Sequence, residues 1–209
     1  DDIHHTVWER AGNGHWLCLT DTIHARPGPE EEIYGALVAA LRDYVRKNGF
    51  PGVILGLSGG IDSALSAAIA ADALGHDAVR GVMMPSIYTS AESLEDAAES
   101  ARLLRIRYDT VPIKDSVMAL EAALAPLLPP HAPGIVHENL QSRARGVILM
   151  ALSNATGAMV LSTGNKSEMA TGYATLYGDM CGGYNALKDV YKTEVYKLAA
   201  WRNAEGTVI

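Results

Sequence analysis

An acidic side chain stands inside a short glycine turn, where unpaired backbone N–H groups would favour an anion. The turn is Ser-Gly-Gly-Ile-Asp-Ser at 58–63, after the apolar segment 53–57 and before an alanine-rich segment that we predict to be helical through residue 73. At the helix N-terminus, the N–H groups of Ser58, Gly59 and Gly60 would form a cradle for phosphate. The carboxylate of Asp62 fits beside phosphates only with a cation such as magnesium between them.

Two common phosphate-binding motifs do not fit this turn. The P-loop motif requires a lysine after its second glycine, and none is present; the dinucleotide-binding motif requires a glycine where Ser58 stands. The alternative, a tightly packed turn that binds nothing, is disfavoured because two serines, two glycines and an acid share one short segment. The turn therefore predicts a nucleotide–metal site of a different kind.

A second polar segment follows another apolar strand. Residues 158–161 are apolar, and Ser-Thr-Gly-Asn-Lys-Ser-Glu follows at 162–168, which places Glu168 in the first turn of the next helix. Parallel strands end at one edge of a sheet, so Asp62 and Glu168 would converge there and hold a hard cation together with substrate phosphates. The alternative is that Glu168 only stabilises its own helix N-terminus.

Three further groups are candidates for ligand contacts. Asn139 and Arg143 lie one turn apart on a predicted helix and share a face, which suits carboxylate or phosphate, although a solvated polar face is equally compatible. The loop 173–179, Tyr-Ala-Thr-Leu-Tyr-Gly-Asp, offers rings that could stack on a heteroaromatic base or pack in a half-buried loop. Lys188 and Lys192 could supply the missing phosphate-binding lysine, or be ordinary surface charges.

The elements between these segments alternate between helix and strand. We predict an irregular N-terminal linker or edge strand over residues 1–30, and an α/β fold with a parallel sheet covered by helices on both faces over the rest. The predicted strands are 53–57, 79–84, 108–113 and 158–161. The predicted helices are 29–47, 61–73, 89–104 with a capping box at Thr89 and Glu92, 116–128 and 138–155.

Composition limits the class of protein. The 209 residues carry 48% hydrophobic residues and a net charge of −7, which favours a folded domain and disfavours a nucleic-acid partner. No run of about 18 apolar residues is present, so no membrane segment is expected. The two cysteines do not form a metal-ligand pattern, and a reducing, cytoplasmic setting is the expectation.

Together, these segments resemble the synthetase domain of NAD synthetases, within the ATP pyrophosphatase superfamily. The turn at 58–63 is shared across that superfamily, which includes GMP synthetases and tRNA-thiolating enzymes. The segments 162–168, 173–179 and 188–195 are more specific and resemble the glutamine-dependent branch. Leu176, where the ammonia-dependent branch has lysine, agrees with that branch. The resemblance implies a Rossmann-like fold of the adenine nucleotide alpha hydrolase type over residues 31–209.

The resemblance also implies an activity: ATP-dependent amidation of deamido-NAD to NAD through an adenylated intermediate, with magnesium. Another pyrophosphatase ligase and a non-catalytic nucleotide-binding domain are the alternatives. Implied catalytic residues are Asp62 and Lys192, and the implied metal ligands are Asp62 and Glu168. Implied ATP-binding residues are Gly56, Leu57, Ser58, Gly59, Gly60, Ile61, Asp62, Ser63, Thr163 and Lys192. Implied deamido-NAD-binding residues are Asn139, Arg143, Glu168, Tyr173, Ala174, Thr175, Leu176 and Asp179.

The resemblance further implies a homodimer. A nitrilase-like glutaminase domain with a Glu-Lys-Cys triad, which supplies ammonia in the glutamine-dependent branch, is not recognised in these 209 residues. Free ammonia, or a glutaminase carried elsewhere in a longer protein, is therefore the expected nitrogen source. The sequence stops at residue 209, before a family segment that helps to close the site, so C-terminal truncation is also expected.

Overall fold

The fold is a parallel five-stranded sheet between two layers of helices. The structure is a computed structural model that describes residues 6–19, 27–129, 131–204 and 206–209. Its strands are β1 (Trp8–Arg10), β2 (Trp16–Cys18), β3 (Val53–Gly56), β4 (Val79–Met83), β5 (Arg107–Thr110), β6 (Met159–Ser162) and β7 (Tyr184–Asn185). Its helices are α1 (Pro29–Lys47), α2 (Ile61–Leu74), α3 (Ala91–Leu104), α4 (Lys114–Leu124), α5 (Gly134–Thr156), α6 (Lys166–Thr171) and α7 (Lys192–Ala204).

The strand order of the sheet is β5-β4-β3-β6-β7, and every neighbouring pair is parallel. The chain therefore builds outwards from β3 to β5 and then returns to the other side of β3 with β6. The point at which the strand order reverses lies between β3 and β6, and ligands of such sheets bind outside the carboxyl ends of the strands there. Both polar segments predicted to carry the site leave the sheet at this point.

Alternate side chains of the central strands fill two separate cores. Val53 and Leu55 pack in the larger core with α1, α2 and α7, whereas Ile54 of the same strand packs in the smaller core with Ala144 and Leu149 of α5. This alternation follows from the two-residue period of a strand. Because both faces are covered, the central strands β3 and β6 consist mainly of apolar residues, as the sequence predicted.

The N-terminal segment contains a short hairpin. Strands β1 and β2 pair antiparallel, and their residues are exposed. The predicted edge strand is thus part of a two-stranded pair, while residues 1–5 and 20–26 of the predicted linker lie outside the described residues.

Three predicted boundaries are wrong. The cap of α3 is Ser90, whose Oγ accepts from the Ser93 N–H at 3.1 Å, because Thr89 Oγ1 already accepts from the Ser86 N–H at 2.9 Å. Strand β5 ends at residue 110, before Pro112, which has no N–H to donate. Helix α5 begins at residue 134, directly after a proline N-cap.

Two elements also depart from the predicted ranges. The fourth predicted helix, 116–128, is observed as Lys114–Leu124. Strand β7, two residues long and preceded by two glycines, was not predicted. In the described part of the chain, no helix is long and apolar enough to cross a membrane.

Candidate active site

The glycine turn lies between β3 and α2, and its serines bond to each other. The Ser58 N–H donates to Ser63 Oγ at 3.2 Å, and the Gly60 N–H donates to Ser58 Oγ at 3.3 Å. Ser63 Oγ in turn donates to the Gly60 carbonyl at 2.8 Å. The prediction that the N–H groups of Ser58 and Gly60 are free is therefore wrong for this structure. When an anion binds, these N–H groups would donate to its phosphate oxygens instead of to the serine hydroxyls.

Gly59 is the position of this turn that requires glycine. Its φ is +81°, a value that L side chains rarely adopt. A Cβ there would lie 2.8 Å from Ser93 Cα and 2.9 Å from the Ser93 carbonyl carbon, and would collide with the Ser93 carbonyl oxygen. The turn thus passes directly against the first turn of α3.

Asp62 is the acid of the turn, and both of its carboxylate oxygens are engaged. Oδ1 accepts from Asn165 Nδ2 at 3.0 Å, and Oδ2 forms an ion pair with Lys192 Nζ. The Asp62 side chain is 17% exposed and that of Lys192 35% exposed, so the pair is shielded but reachable from solvent. The structure therefore brings together the two residues predicted to be catalytic, although they lie 130 positions apart in sequence.

Helix α6 begins with a reciprocal cap. The Glu168 N–H donates to Asn165 Oδ1 at 3.0 Å, and the Asn165 N–H donates to Glu168 Oε2 at 2.9 Å. Glu168 thus lies in the first helical turn as predicted, and one of its oxygens stabilises the helix N-terminus. Its proposed metal role remains a prediction. Asn165, which the sequence analysis did not select, connects Glu168 to Asp62.

A pocket and a cleft open beside these groups. The small pocket encloses about 170 Å³ and the large cleft about 1150 Å³, and Ser58, Thr163, Tyr173, Ala174 and Asp179 line both. Predicted residues lining only the small pocket are Gly60, Asp62, Ser63 and Glu168; those lining only the large cleft are Gly56, Leu57, Asn139 and Thr175. The two cavities are thus adjacent and share part of their lining, whereas the predicted residues Gly59, Ile61 and Lys192 line neither.

Some predicted residues contribute differently. The Leu57 side chain is buried in the larger core, which leaves its backbone for the cleft, and Ile61 also packs against that core. Arg143 and Leu176 line neither cavity; instead Arg143 Nε donates to the Leu176 carbonyl at 3.2 Å.

Helix α5 holds the loop 173–179 in place. Thr175 Oγ1 donates to Asn139 Oδ1 at 3.0 Å, and the Asp179 N–H donates to Ser142 Oγ at 3.0 Å. With the Arg143 contact, three polar side chains on two successive turns of α5 fix this loop. Ser142 could have been found as a third polar residue on the predicted Asn139 and Arg143 face.

Arg145 is a second functional candidate that sequence reasoning missed. It lines the large cleft, and its Nε donates to the Met84 carbonyl at 3.1 Å. Burial lowers the pKa of its guanidinium, and none of the ion pairs described for the chain includes it. An arginine remains charged even so, and a half-buried positive charge at a cleft wall favours an anionic ligand.

The magnesium prediction can be tested against the donor set. Within the described ranges no group of three or more His, Cys, Asp and Glu side chains could hold a metal ion by itself. The small pocket nevertheless gathers three acidic side chains, the predicted ligands Asp62 and Glu168 together with Asp179, and serine and threonine hydroxyls. Magnesium is commonly bound by one or two carboxylates together with substrate phosphates, so these residues fit it.

Comparisons with known proteins identify the family of this chain. The NAD synthase family model matches residues 33–209. A glutamine-dependent NAD(+) synthetase of Rhodobacter capsulatus is 58% identical over 200 residues, which are 96% of this chain and 36% of that protein. One from Thermotoga maritima is 53% identical over 195 residues, 93% of this chain and 33% of that protein. The chain thus spans about a third of the length of these relatives.

Solved structures share the fold. The glutamine-dependent NAD+ synthetase of Acinetobacter baumannii, in complex with ADP, has a TM-score of 0.86 and 53% identity, over 88% of this chain and 36% of that one. The NH3-dependent NAD synthetase of Campylobacter jejuni has a TM-score of 0.78 and 30% identity, over 87% of this chain and 77% of that one. The predicted α/β Rossmann-like fold is confirmed, and this chain belongs to the NAD synthase family.

Proposed function

We propose that this chain catalyses the ATP-dependent amidation of deamido-NAD to NAD, with release of AMP and pyrophosphate. The observation that carries the proposal is the Asp62–Lys192 pair at the serine-glycine turn, where Asp62 lines the small pocket beside a cleft of about 1150 Å³. Family membership supports the substrate assignment. The ADP complex of the structurally similar Acinetobacter protein supports an adenine nucleotide in this fold.

In this proposal the turn binds the ATP phosphates. The first helical turn of α2, from Ile61 to Ser63, has no side-chain cap, so its N–H groups and the helix dipole are available to an anion. Ser58 and Thr163 add hydroxyl donors from opposite sides of the strand reversal. Lys192 supplies the positive charge that a lysine within the turn supplies in P-loop proteins.

Magnesium, held by Asp62 and Glu168, would neutralise phosphate charge and make pyrophosphate a better leaving group. Lys192 would share Asp62 with that ion. Its ammonium group would also stabilise the charge that develops on the departing phosphates. The charges of Asp62 and Lys192 thus stabilise each other, because both side chains are partly shielded from solvent.

The chemistry is activation of a carboxyl group followed by substitution. A carboxylate oxygen of the nicotinate group attacks the α-phosphorus of ATP, and the bond from that phosphorus to the bridging oxygen of pyrophosphate breaks. Ammonia then attacks the carboxyl carbon of the acyl adenylate and gives up a proton, and AMP leaves with the C–O bond electrons. The chain's main contribution is to bind both nucleotides with their reacting atoms in line, so that a bimolecular reaction becomes effectively unimolecular.

We propose that deamido-NAD occupies the part of the large cleft next to loop 173–179. Tyr173 is 78% exposed and offers a ring for stacking, while Ala174, Thr175 and Asp179 line the wall. Asn139 and Arg143 position this loop, since both hold it by hydrogen bonds. Glu168, from the first turn of α6, and Leu176, from the middle of the loop, complete the proposed set.

The nitrogen source and assembly are also proposals. The Rhodobacter and Acinetobacter proteins are glutamine-dependent and about three times as long as the matched part, so we propose that a glutaminase supplies ammonia to this domain. The Campylobacter protein is ammonia-dependent and is mostly covered by this fold, which supports direct use of free ammonia as well. A homodimer is proposed from the family resemblance.

One assay tests the activity. The chain is incubated with ATP, magnesium, ammonium and deamido-NAD, and NAD, AMP and pyrophosphate are quantified. Equimolar formation of all three is expected; ADP as the product, or AMP without NAD, would refute the proposal. Nicotinate mononucleotide as acceptor tests whether the cleft requires the adenylate half.

A matched pair of acid variants tests the role of Asp62. Asp62→Asn should lower pyrophosphate release by about 100-fold or more, since it removes the charge that Lys192 and a metal ion share. Asp115→Asn is the control, because Asp115 also lies in the first turn of a helix after a strand but is exposed and lines neither cavity. Equal activity of the two variants would contradict the role of Asp62.

A further inference from the structure

Asn165 is the most completely buried polar side chain near the proposed site. It is 1% exposed, and its amide contacts two different elements. Oδ1 accepts from the Glu168 N–H in α6, while Nδ2 donates to Asp62 Oδ1 in α2, 103 positions away in sequence. No role follows for it from the glycine turn or from the acidic residues by themselves.

From this geometry we propose that Asn165 is a positioning residue, which fixes the orientation of the Asp62 carboxylate and couples it to Glu168. The proposal rests on the proposed function for its kinetic test, although its structural test does not. Asn165 touches no substrate in this scheme and acts through Asp62.

The geometry favours this role over capping alone. A helix N-cap requires only an acceptor oxygen, which serine or aspartate supplies equally well. An amide is needed only where one end must accept and the other must donate. Asn165 does both, and its donor end meets the one acid of the turn.

The contact also sets the direction in which Asp62 points. A carboxylate rotates readily about its last side-chain bond, whose preferences are broad. The Asn165 amide fixes Oδ1, which leaves Oδ2 directed towards Lys192. Since Glu168 Oε2 accepts from the Asn165 backbone N–H, the same residue also orients the second acid. One buried residue thus holds both proposed metal ligands, Asp62 through its side-chain amide and Glu168 through its backbone N–H.

Three variants separate the two roles of Asn165. Asn165→Ser keeps a cap acceptor but is too short to donate to Asp62. Asn165→Asp keeps the acceptor and the size but places a second carboxylate against Asp62. Asn165→Ala removes both functions. If capping is the whole role, serine and aspartate should behave as wild type and only alanine should be impaired.

We expect instead that Asn165→Ser lowers kcat for pyrophosphate release by about tenfold or more, the effect of one hydrogen bond to a charged group. Asn165→Asp should be impaired at least as much, and the KM for deamido-NAD should change little in both. Circular dichroism at the assay temperature confirms that each variant is folded. Wild-type kcat in both the serine and the aspartate variants would overturn the proposal.

A crystal structure of Asn165→Ser gives a readout that does not depend on activity. The Asp62 carboxylate should be rotated or occupy two orientations, with the α6 cap preserved. An unchanged, single orientation of Asp62 would refute the positioning role even if the activity assay failed for another reason. Asn203→Ser is the matched control, because the Asn203 amide also both accepts and donates, from the N–H groups of Val208 and Ile209 and to a backbone oxygen of Ile209, but lines neither cavity.

Discussion

Replacement of Gly59 by alanine tests whether the close contact between the glycine turn and α3 shapes the phosphate site. The added Cβ would meet the Ser93 backbone at 2.8–2.9 Å, closer than real Cβ contacts. It would also force an L side chain to φ of +81°. Both effects act on backbone, so no side chain can move aside to relieve them.

The expected loss of stability has two parts. The left-handed backbone costs roughly 1–2 kcal/mol for an L residue. Overpacking against the Ser93 backbone adds about 1–3 kcal/mol. Gly59→Ala should therefore lower the free energy of unfolding by about 2–5 kcal/mol, or else displace the turn and lose part of the site.

Gly157→Ala is the matched control. Gly157 has a similar φ of +76°, but its Cβ would lie 3.8 Å from Pro51, an ordinary contact. This variant should lose only the backbone part, roughly 1–2 kcal/mol. Urea unfolding measures both variants, and calorimetric titration with ATP and magnesium measures binding, which only Gly59→Ala should weaken. A difference in stability below about 0.5 kcal/mol together with equal ATP affinity would refute the reasoning, since surface changes alone stay within that range.

Three further predictions concern charged and titrating groups. Lys192→Met should lower pyrophosphate release by about 100-fold, whereas Lys188→Met, an exposed lysine four positions earlier, should leave it unchanged. A similar loss in both variants would contradict the role of Lys192. Arg145→Gln should raise the KM for a nucleotide substrate by about tenfold, and Arg107→Gln on the exposed edge strand should not. Initial-rate kinetics measure both KM values. An unchanged KM for both nucleotides would show that Arg145 only donates to the Met84 carbonyl. Burial, with the hydrogen bond to Asp72, raises the pKa of Tyr34, so the folded state holds the phenol proton more tightly than the unfolded state. The protonated Tyr34 therefore contributes to stability fully below about pH 10, and this contribution is lost as the pH rises further. Unfolding free energies measured above pH 10 should therefore fall less steeply for Tyr34→Phe than for wild type, and equal slopes would refute this.

The sheet and the acidic glycine turn could be predicted because their signals are local. The buried strands appear as apolar runs, and the turn at 58–63 has an unusual combination of glycine, serine and acid. Lys192 could be selected by resemblance, but not as the partner of Asp62, since a contact across 130 positions leaves no trace in local pattern.

The groups that were missed depend on tertiary contacts. Asn165 appears in the sequence as an ordinary N-cap residue, and only the placement of β6 next to β3 brings its amide to Asp62. In the sequence, Arg145 resembles a surface arginine on a long helix. Only the tertiary structure places the Met84 carbonyl, just after β4, within reach of its guanidinium. The N–H groups of Ser58 and Gly60 were expected to be free because they precede a helix N-terminus. The hydroxyl groups that accept from them depend on side-chain rotamers, which the sequence does not reveal.

The strand order has a consequence for how the protein acquires its nucleotide site. The turn after β3, the segment after β6 and the first residue of α7 form the site jointly, yet they are synthesised far apart in time. A chain released before α7 would contain the phosphate turn without its lysine. Nucleotide affinity should therefore report completion of folding, and a bound nucleotide should selectively slow the opening of α7, because ligand binding stabilises the states that contain the whole site.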